Sequence, residues 1–109
     1  MLKIVPTPEF IKQVKKLAKS YKQIVKDLES LKKQLIKNPK TGTELGNKCF
    51  KIRLANSSIP TGKSGGFRIV TYYIDDKNII RLLLIYTKTE KENISDSELR
   101  KVLVSNNLC

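Results

Sequence analysis

The chain reads as a small α+β domain in the order β-α-α-β-β-β-α, and one change of rhythm carries most of that reading. Apolar residues recur at helical spacing from Phe10 to Leu35 and then alternate from Phe50 onward. A length of 109 residues leaves room for one hydrophobic core, so residues 1–109 are expected to form a single domain. The expected architecture is a small, mostly antiparallel sheet with an N-terminal αα-hairpin packed on one face.

The first element is short. Leu2-Lys3-Ile4-Val5 alternates and is stopped by Pro6, as an edge strand is, because proline brings no N–H to a ladder. Thr7 then offers an N-cap hydroxyl and Pro8 suits the first helical position. Phe10, Val14, Leu17, Ala18 and Tyr21 share one face of the helix that follows. After a break near Ser20 and Tyr21, the residues Ile24, Leu28, Leu31 and Leu35 mark a second helix, which Asn38-Pro39 ends. The hairpin lysines, from Lys12 to Lys37, fall mostly off the apolar stripe and read as a solvated face.

Residues 40–47 read as a loop. Beyond it Phe50, Ile52 and Leu54 share one face of a strand, and Lys51 and Arg53 share the other, pointing together away from the core. Phe67–Ile74 is β-branched and aromatic, Asp75-Asp76-Lys77-Asn78 is a turn, and Ile79–Tyr86 completes a three-stranded meander. That last strand is apolar at nearly every position, so it is expected to be covered on both faces, by the helices and by something else such as a partner chain. Ser95 with Glu98 three residues on forms a capping box, and Leu99, Val102 and Leu103 give a short closing helix.

Composition narrows the function. Lys and Arg number 22 against 10 Asp and Glu, a net charge of +12 that favours a polyanionic partner, nucleic acid or an anionic surface. No run approaches a transmembrane span and the N-terminus lacks the pattern of a signal peptide, so the cytoplasm is the expected location and no membrane is expected as partner. Cys49 and Cys109 are too few for a disulfide framework and read as reduced, structural thiols. With no histidine in the chain, neither a Ser-His-Asp triad nor a histidine acid/base pair is available. The Asp75-Asp76-Lys77 spacing resembles a metal-dependent nuclease motif only superficially, because it sits in a turn, and Glu90 and Glu92 among Lys88 and Lys91 read as surface ion pairing. No metal site and no cofactor are expected.

What remains is a site built from fixed cations. Attack of a 2′-hydroxyl on its phosphodiester passes through a phosphorane with extra negative charge, which preorganised Arg and Lys stabilise more than the ground state. The available crowd is Lys51, Arg53, Lys63, Arg68 and Lys88. Arg68 can grip two phosphate oxygens, and a lysine crowded by cations is moved towards general-base duty. Gly65-Gly66 leave no side chain beside the backbone at the strand entry, so a phosphate or a ribosomal surface is expected to approach there. A flexible turn carrying ordinary surface lysines fits the same pattern.

At these residues the chain resembles a known family. Phe10…Val14-Lys15-Lys16-Leu17…Tyr21, Asn38-Pro39-Lys40-Thr41-Gly42, Lys51-Ile52-Arg53-Leu54, Gly62-Lys63-Ser64-Gly65-Gly66-Phe67-Arg68-Ile69 and Ile85-Tyr86-Thr87-Lys88 look like the RelE/ParE toxin superfamily, most closely its HigB-like, RelE-related branch. The match runs from about Leu2 to Val104. It implies the toxin of a type II toxin-antitoxin system, acting as a ribosome-dependent, metal-independent endoribonuclease on mRNA and so inhibiting translation. It also implies a cognate antitoxin as partner, with DNA contact only through that antitoxin. Carried over by position, Lys51 and Arg53 match the strand cations proposed as base and charge stabiliser, with Lys51 the better proton acceptor, and Arg68 matches the arginine on the scissile phosphate. Lys88 is retained and completes the catalytic set, while Lys63, Ser64, Gly65, Gly66 and Lys91 are expected to bind nucleic acid. The chain departs from its relatives at Thr89 and Ser95, where they carry an arginine and a tyrosine; Tyr86 or Tyr73 are the available aromatic replacements. ParE-type members of the superfamily instead poison DNA gyrase without nuclease activity, and a nuclease-dead homologue that binds nucleic acid or antitoxin is the third reading.

Overall fold

The computed structural model describes residues 1–60, 65–91 and 93–108. Within them the chain runs β1 (Lys3–Pro6), α1 (Pro8–Ala18), α2 (Ile24–Lys37), β2 (Thr43–Gly46), β3 (Cys49–Leu54), β4 (Phe67–Ile74), β5 (Ile79–Thr87) and α3 (Asp96–Ser105). The strands make one sheet in the order β1-β5-β4-β3-β2. β1 runs parallel to β5, and the other three pairings are antiparallel.

The caps act where the sequence places them. Thr7 accepts the amide of Phe10 at 3.2 Å and passes its own hydroxyl proton to the Leu83 carbonyl at 3.3 Å, so one residue starts α1 and ties it to β5. Ser95 and Glu98 form the reciprocal capping box of α3. α2 is different, because its N-cap Gln23 makes no side-chain cap bond. The loop after β3 serves instead: Ser58 Oγ accepts the Gln23 amide at 2.9 Å, and the buried Asp27 carboxylate accepts the Ser57 amide at 3.0 Å.

Two cores sandwich the sheet. On one face Phe10, Leu17, Ile24, Leu31 and Leu35 of the hairpin pack against Ile52, Leu54, Phe67, Ile69, Ile80 and Ile85. Each such fully buried side chain contributes roughly 1.5–3 kcal/mol. Tyr21 lies beyond the end of α1 rather than on it, and meets the Phe67 ring edge-on with centroids 5.6 Å apart. The hairpin lysines, by contrast, all face solvent. On the other face Leu99 and Leu103 of α3 cover Cys49, Val70, Tyr72, Leu83 and Tyr86. The second cover of β5, for which a partner chain was a candidate, is therefore the chain's own closing helix.

Two further details depart from expectation. Residues 43–46, read as loop, form β2, joined to β3 by a turn in which Asn47 and Lys48 have φ of 52° and 65°. Positive φ at both central residues is the geometry that matches hairpin twist, so pairing with β3 orders a segment whose own residues have little strand preference. In the β4–β5 ladder Val70 pairs with Leu84 while Thr71 pairs with Leu82, which leaves Leu83 as an extra residue. Leu83 and Leu84 both join the α3 side, whereas Leu82 and Ile85 join the hairpin side.

Candidate nucleic-acid interface

The sheet register assembles the cations. Arg53 lies directly opposite Arg68 across β3 and β4, and Arg68 lies directly opposite Tyr86 across β4 and β5. Lys51 is two residues from Arg53 on the same face, paired with Val70. This is the α3 side of the sheet, next to the patch that Leu99 and Leu103 cover.

Their surroundings differ. Arg53 is exposed and Lys51 is half-buried, with its ammonium donating to Asn93 Oδ1 at 2.7 Å. Arg68 is only 4% exposed, and its Nη1 donates to the Gly66 carbonyl at 3.3 Å. The row thus runs from an open arginine at β3 to a covered one at β4. Lys88 is exposed in the turn that follows β5. In that turn Glu90 accepts from the amide and hydroxyl of Thr87, at 3.1 and 3.3 Å, instead of pairing with a neighbouring lysine as expected.

Lys91 extends the set from the α3 side. Its ammonium pairs with Glu98 at 2.5 Å and stands 5.5 Å from the centre of the Tyr86 ring. The hydrogen bond from Lys91, with that of the Ser95 amide, holds the Glu98 carboxyl below its ordinary value. Tyr86 is buried, and its hydroxyl has no hydrogen-bond partner among the described residues. Burial pushes the phenol pKa up, the Arg68 charge pulls it down and Glu98 pushes it up again. Tyr73 belongs to the opposite, hairpin-side core.

The glycine entry has a different reason from the one expected. A Cβ on Gly66 would stand 2.1 Å from the Leu54 carbonyl oxygen, so the missing side chain lets β4 start against the end of β3. Gly66 is buried, and it is the chain itself that approaches there. Gly65 is half-exposed beside it, while Lys63 and Ser64 lie outside the described residues, as do Glu92 and Cys109. Cys49 is buried at the far end of the same sheet face, and desolvation pushes its thiol up to about 11, which keeps it protonated and inert. Among the described residues no group of acidic, histidine or cysteine side chains could hold a metal ion, and no helix is long and apolar enough to cross a membrane.

Residue reading alone did not place Tyr86, Asn93 and Glu98 at this site. Asn93 carries no motif, Glu98 reads only as a helix cap, and Tyr86 faces the site because of the extra residue at Leu83.

Three solved structures share the fold. One is a double mutant of the E. coli toxin RelE in the free state, with TM-score 0.59 and 19% identity over 84% of this chain and 87% of that one. A chain of the intact E. coli RelBE toxin-antitoxin complex has TM-score 0.58 and 19% identity, covering 78% of this chain and 94% of that chain. The isolated E. coli RelE toxin has TM-score 0.58 and 18% identity, covering 94% and 96%. The family described as the ParE toxin of the type II toxin-antitoxin system parDE matches residues 4–91, which takes in both hairpin helices, β2 to β5 and all of β1 but Lys3. Its sequence match spans most of the chain and its sheet and helices follow RelE, so the protein belongs to the RelE/ParE superfamily of type II toxin-antitoxin toxins.

Proposed function

We propose that this toxin is a ribosome-dependent endoribonuclease that cuts mRNA and thereby inhibits translation. The observation that supports this reading best is the direct pairing of Arg53 with Arg68, with Lys51 on the same face. Like charges directly opposite one another on a ladder disfavour the sheet by themselves, and a phosphodiester lying along the row turns that liability into binding. In this reading Arg53 and Arg68 stabilise the phosphorane charge, and Lys51 accepts the proton of the attacking 2′-hydroxyl. Lys88 completes the set of catalytic cations, and Lys91 and Gly65 contact the message, the role that Lys63 and Ser64 are also expected to share. Arg68 is covered, so binding must shift the side chains above it.

An antitoxin partner accompanies the same reading. A +12 chain with a groove of about 430 Å³ between the hairpin and β1, lined by Ile4, Phe10, Val14 and Leu28, suits a partner that is acidic and apolar by turns. The E. coli RelBE structure is a toxin-antitoxin complex.

The test is induced expression without antitoxin. Growth should stop, primer extension should show breaks in translated messages only, and Arg68→Ala should abolish both effects in a folded protein. Intact transcripts during growth arrest would sink the reading. The ParE description of the matching family, together with Thr89 and Ser95 at the positions noted above, favours gyrase inhibition as the second reading. For that one, purified toxin should block supercoiling or trap cleaved DNA, and gyrase untouched by excess toxin excludes it.

A further inference from the structure

We propose that Tyr86 is the general acid of this site, giving its phenolic proton to the 5′-oxygen that leaves as the 2′-hydroxyl attacks. The inference rests on the ribonuclease reading above and deepens it.

Position is the first argument. Tyr86 shares a cross-strand row with Arg68 and Arg53, so its side chain leaves β5 on the face that carries the two arginines, where it packs under α3. The other aromatic candidate, Tyr73, packs in the core on the hairpin side of the sheet.

The hydroxyl itself is the second argument. Tyr72 on the same face donates to the Leu108 carbonyl at 3.5 Å, but the Tyr86 hydroxyl, on a side chain only 4% exposed, meets no partner among the described residues. A buried hydroxyl left unmatched weakens a fold, and phenylalanine would fill the same space without that penalty. A partner that arrives with the ligand accounts for the tyrosine.

Elimination is the third. The chain has no histidine, arginine does not give up its proton near neutral pH, and Lys51 serves as the acceptor. The Lys91 ammonium is engaged by Glu98, while Lys88 is exposed in the turn beyond β5. Burial keeps the phenol protonated until it is needed, while Arg68 beside it favours release of the proton. Lys91 above the ring and Glu98 bonded to Lys91 are the remaining charges that face it.

The step balances without a further reactant. The 2′-oxygen bonds to phosphorus as its proton passes to Lys51, and the bond from phosphorus to the 5′-oxygen breaks with its electron pair on oxygen. That oxygen takes the Tyr86 proton. The products are a 2′,3′-cyclic phosphate and a free 5′-hydroxyl, after which the phenolate regains a proton from water and Lys51 releases one.

A sulfur leaving group tests this, because a thiolate departs without being protonated. Ribosomes programmed with a short message are given the full-length toxin, with either the natural linkage or a 5′-bridging sulfur at the cut site. Tyr86→Phe should lose about 100-fold or more on the oxygen linkage, in line with the usual contribution of a general acid. On the sulfur linkage it should cut within a few-fold of the wild type, which also shows that the variant is folded. Equal losses on both linkages would mean a structural role and overturn the proposal, as would full activity of Tyr86→Phe on oxygen. A wild type that cuts neither linkage would overturn the ribonuclease reading itself, and this inference with it.

Discussion

Arg68 on β4 stands directly across the ladder from Tyr86 on β5, and the extra residue Leu83 puts it there. Continued in step from the Thr71–Leu82 pair, the ladder would set Arg68 against Ile85 and turn Tyr86 towards the hairpin. A slip of one residue exchanges the two faces of a strand, so the bulge decides whether the cation row meets an aromatic ring at all.

If Lys51 and Arg53 touch the phosphate backbone, each contributes to the release of counterions when RNA binds. The expected outcome for Lys51→Ala and for Arg53→Ala is a shallower dependence of binding on salt, with the slope of log K against log salt smaller by roughly 0.7 per lost contact on single strands. Anisotropy of a labelled RNA at several salt concentrations measures it. An unchanged slope with weaker binding would mean that the side chain acts on the fold and not on phosphate.

The close approach at Gly66 is a claim about packing, and alanine tests it. Gly66→Ala brings a Cβ to 2.1 Å from the Leu54 carbonyl oxygen, a backbone atom that cannot swing aside. The strands β3 and β4 must part at that end, for a loss of about 3 kcal/mol in urea unfolding, within the range for steric change in a core. A stability equal to the wild type would show that the entry to β4 relaxes freely.

The closing helix should be sensitive to acid. Glu98 is held below its ordinary value of 4.5 by the hydrogen bond from Lys91 and those of its own capping box. A carboxyl depressed in the folded state stabilises the fold above its unfolded pKa and loses that contribution as pH falls through the folded one. Amide exchange in α3 should therefore quicken below about pH 4.5 while β4 stays protected, and Glu98→Gln should flatten the pH response. Acid sensitivity unchanged in Glu98→Gln would assign it to another carboxylate.

The hairpin helices and β3 are legible from periodicity because each has one continuous buried stripe, β4 and β5 from their β-branched, aromatic and apolar runs, and α3 from Ser95 and Glu98 at capping distance. β2 is not, since Thr43-Glu44-Leu45-Gly46 has no strand pattern of its own and is ordered by β3 alongside it. The site was readable in kind but not in arrangement. Lys51 and Arg53 announce their common face by alternation, whereas the meeting of Arg53 with Arg68 depends on register, and that of Arg68 with Tyr86 on a bulge inside an unbroken apolar run. A run such as Ile79–Tyr86 carries no mark of where its extra residue lies, because every position is apolar whichever face it takes. The partners of Lys51 and Lys91 come from α3 and the segment before it, which sequence spacing does not bring near β3 and β5.

The parallel pairing of β1 with β5 sets the order in which this protein can come into being. Lys3 waits for Ile79, and the apolar stripe of the hairpin waits for the strands it covers, so the earliest part of the chain to leave the ribosome is among the last to be fixed in place. Cation row and scaffold are completed together, late in synthesis. A half-made copy of this toxin therefore has no assembled cation row with which to act.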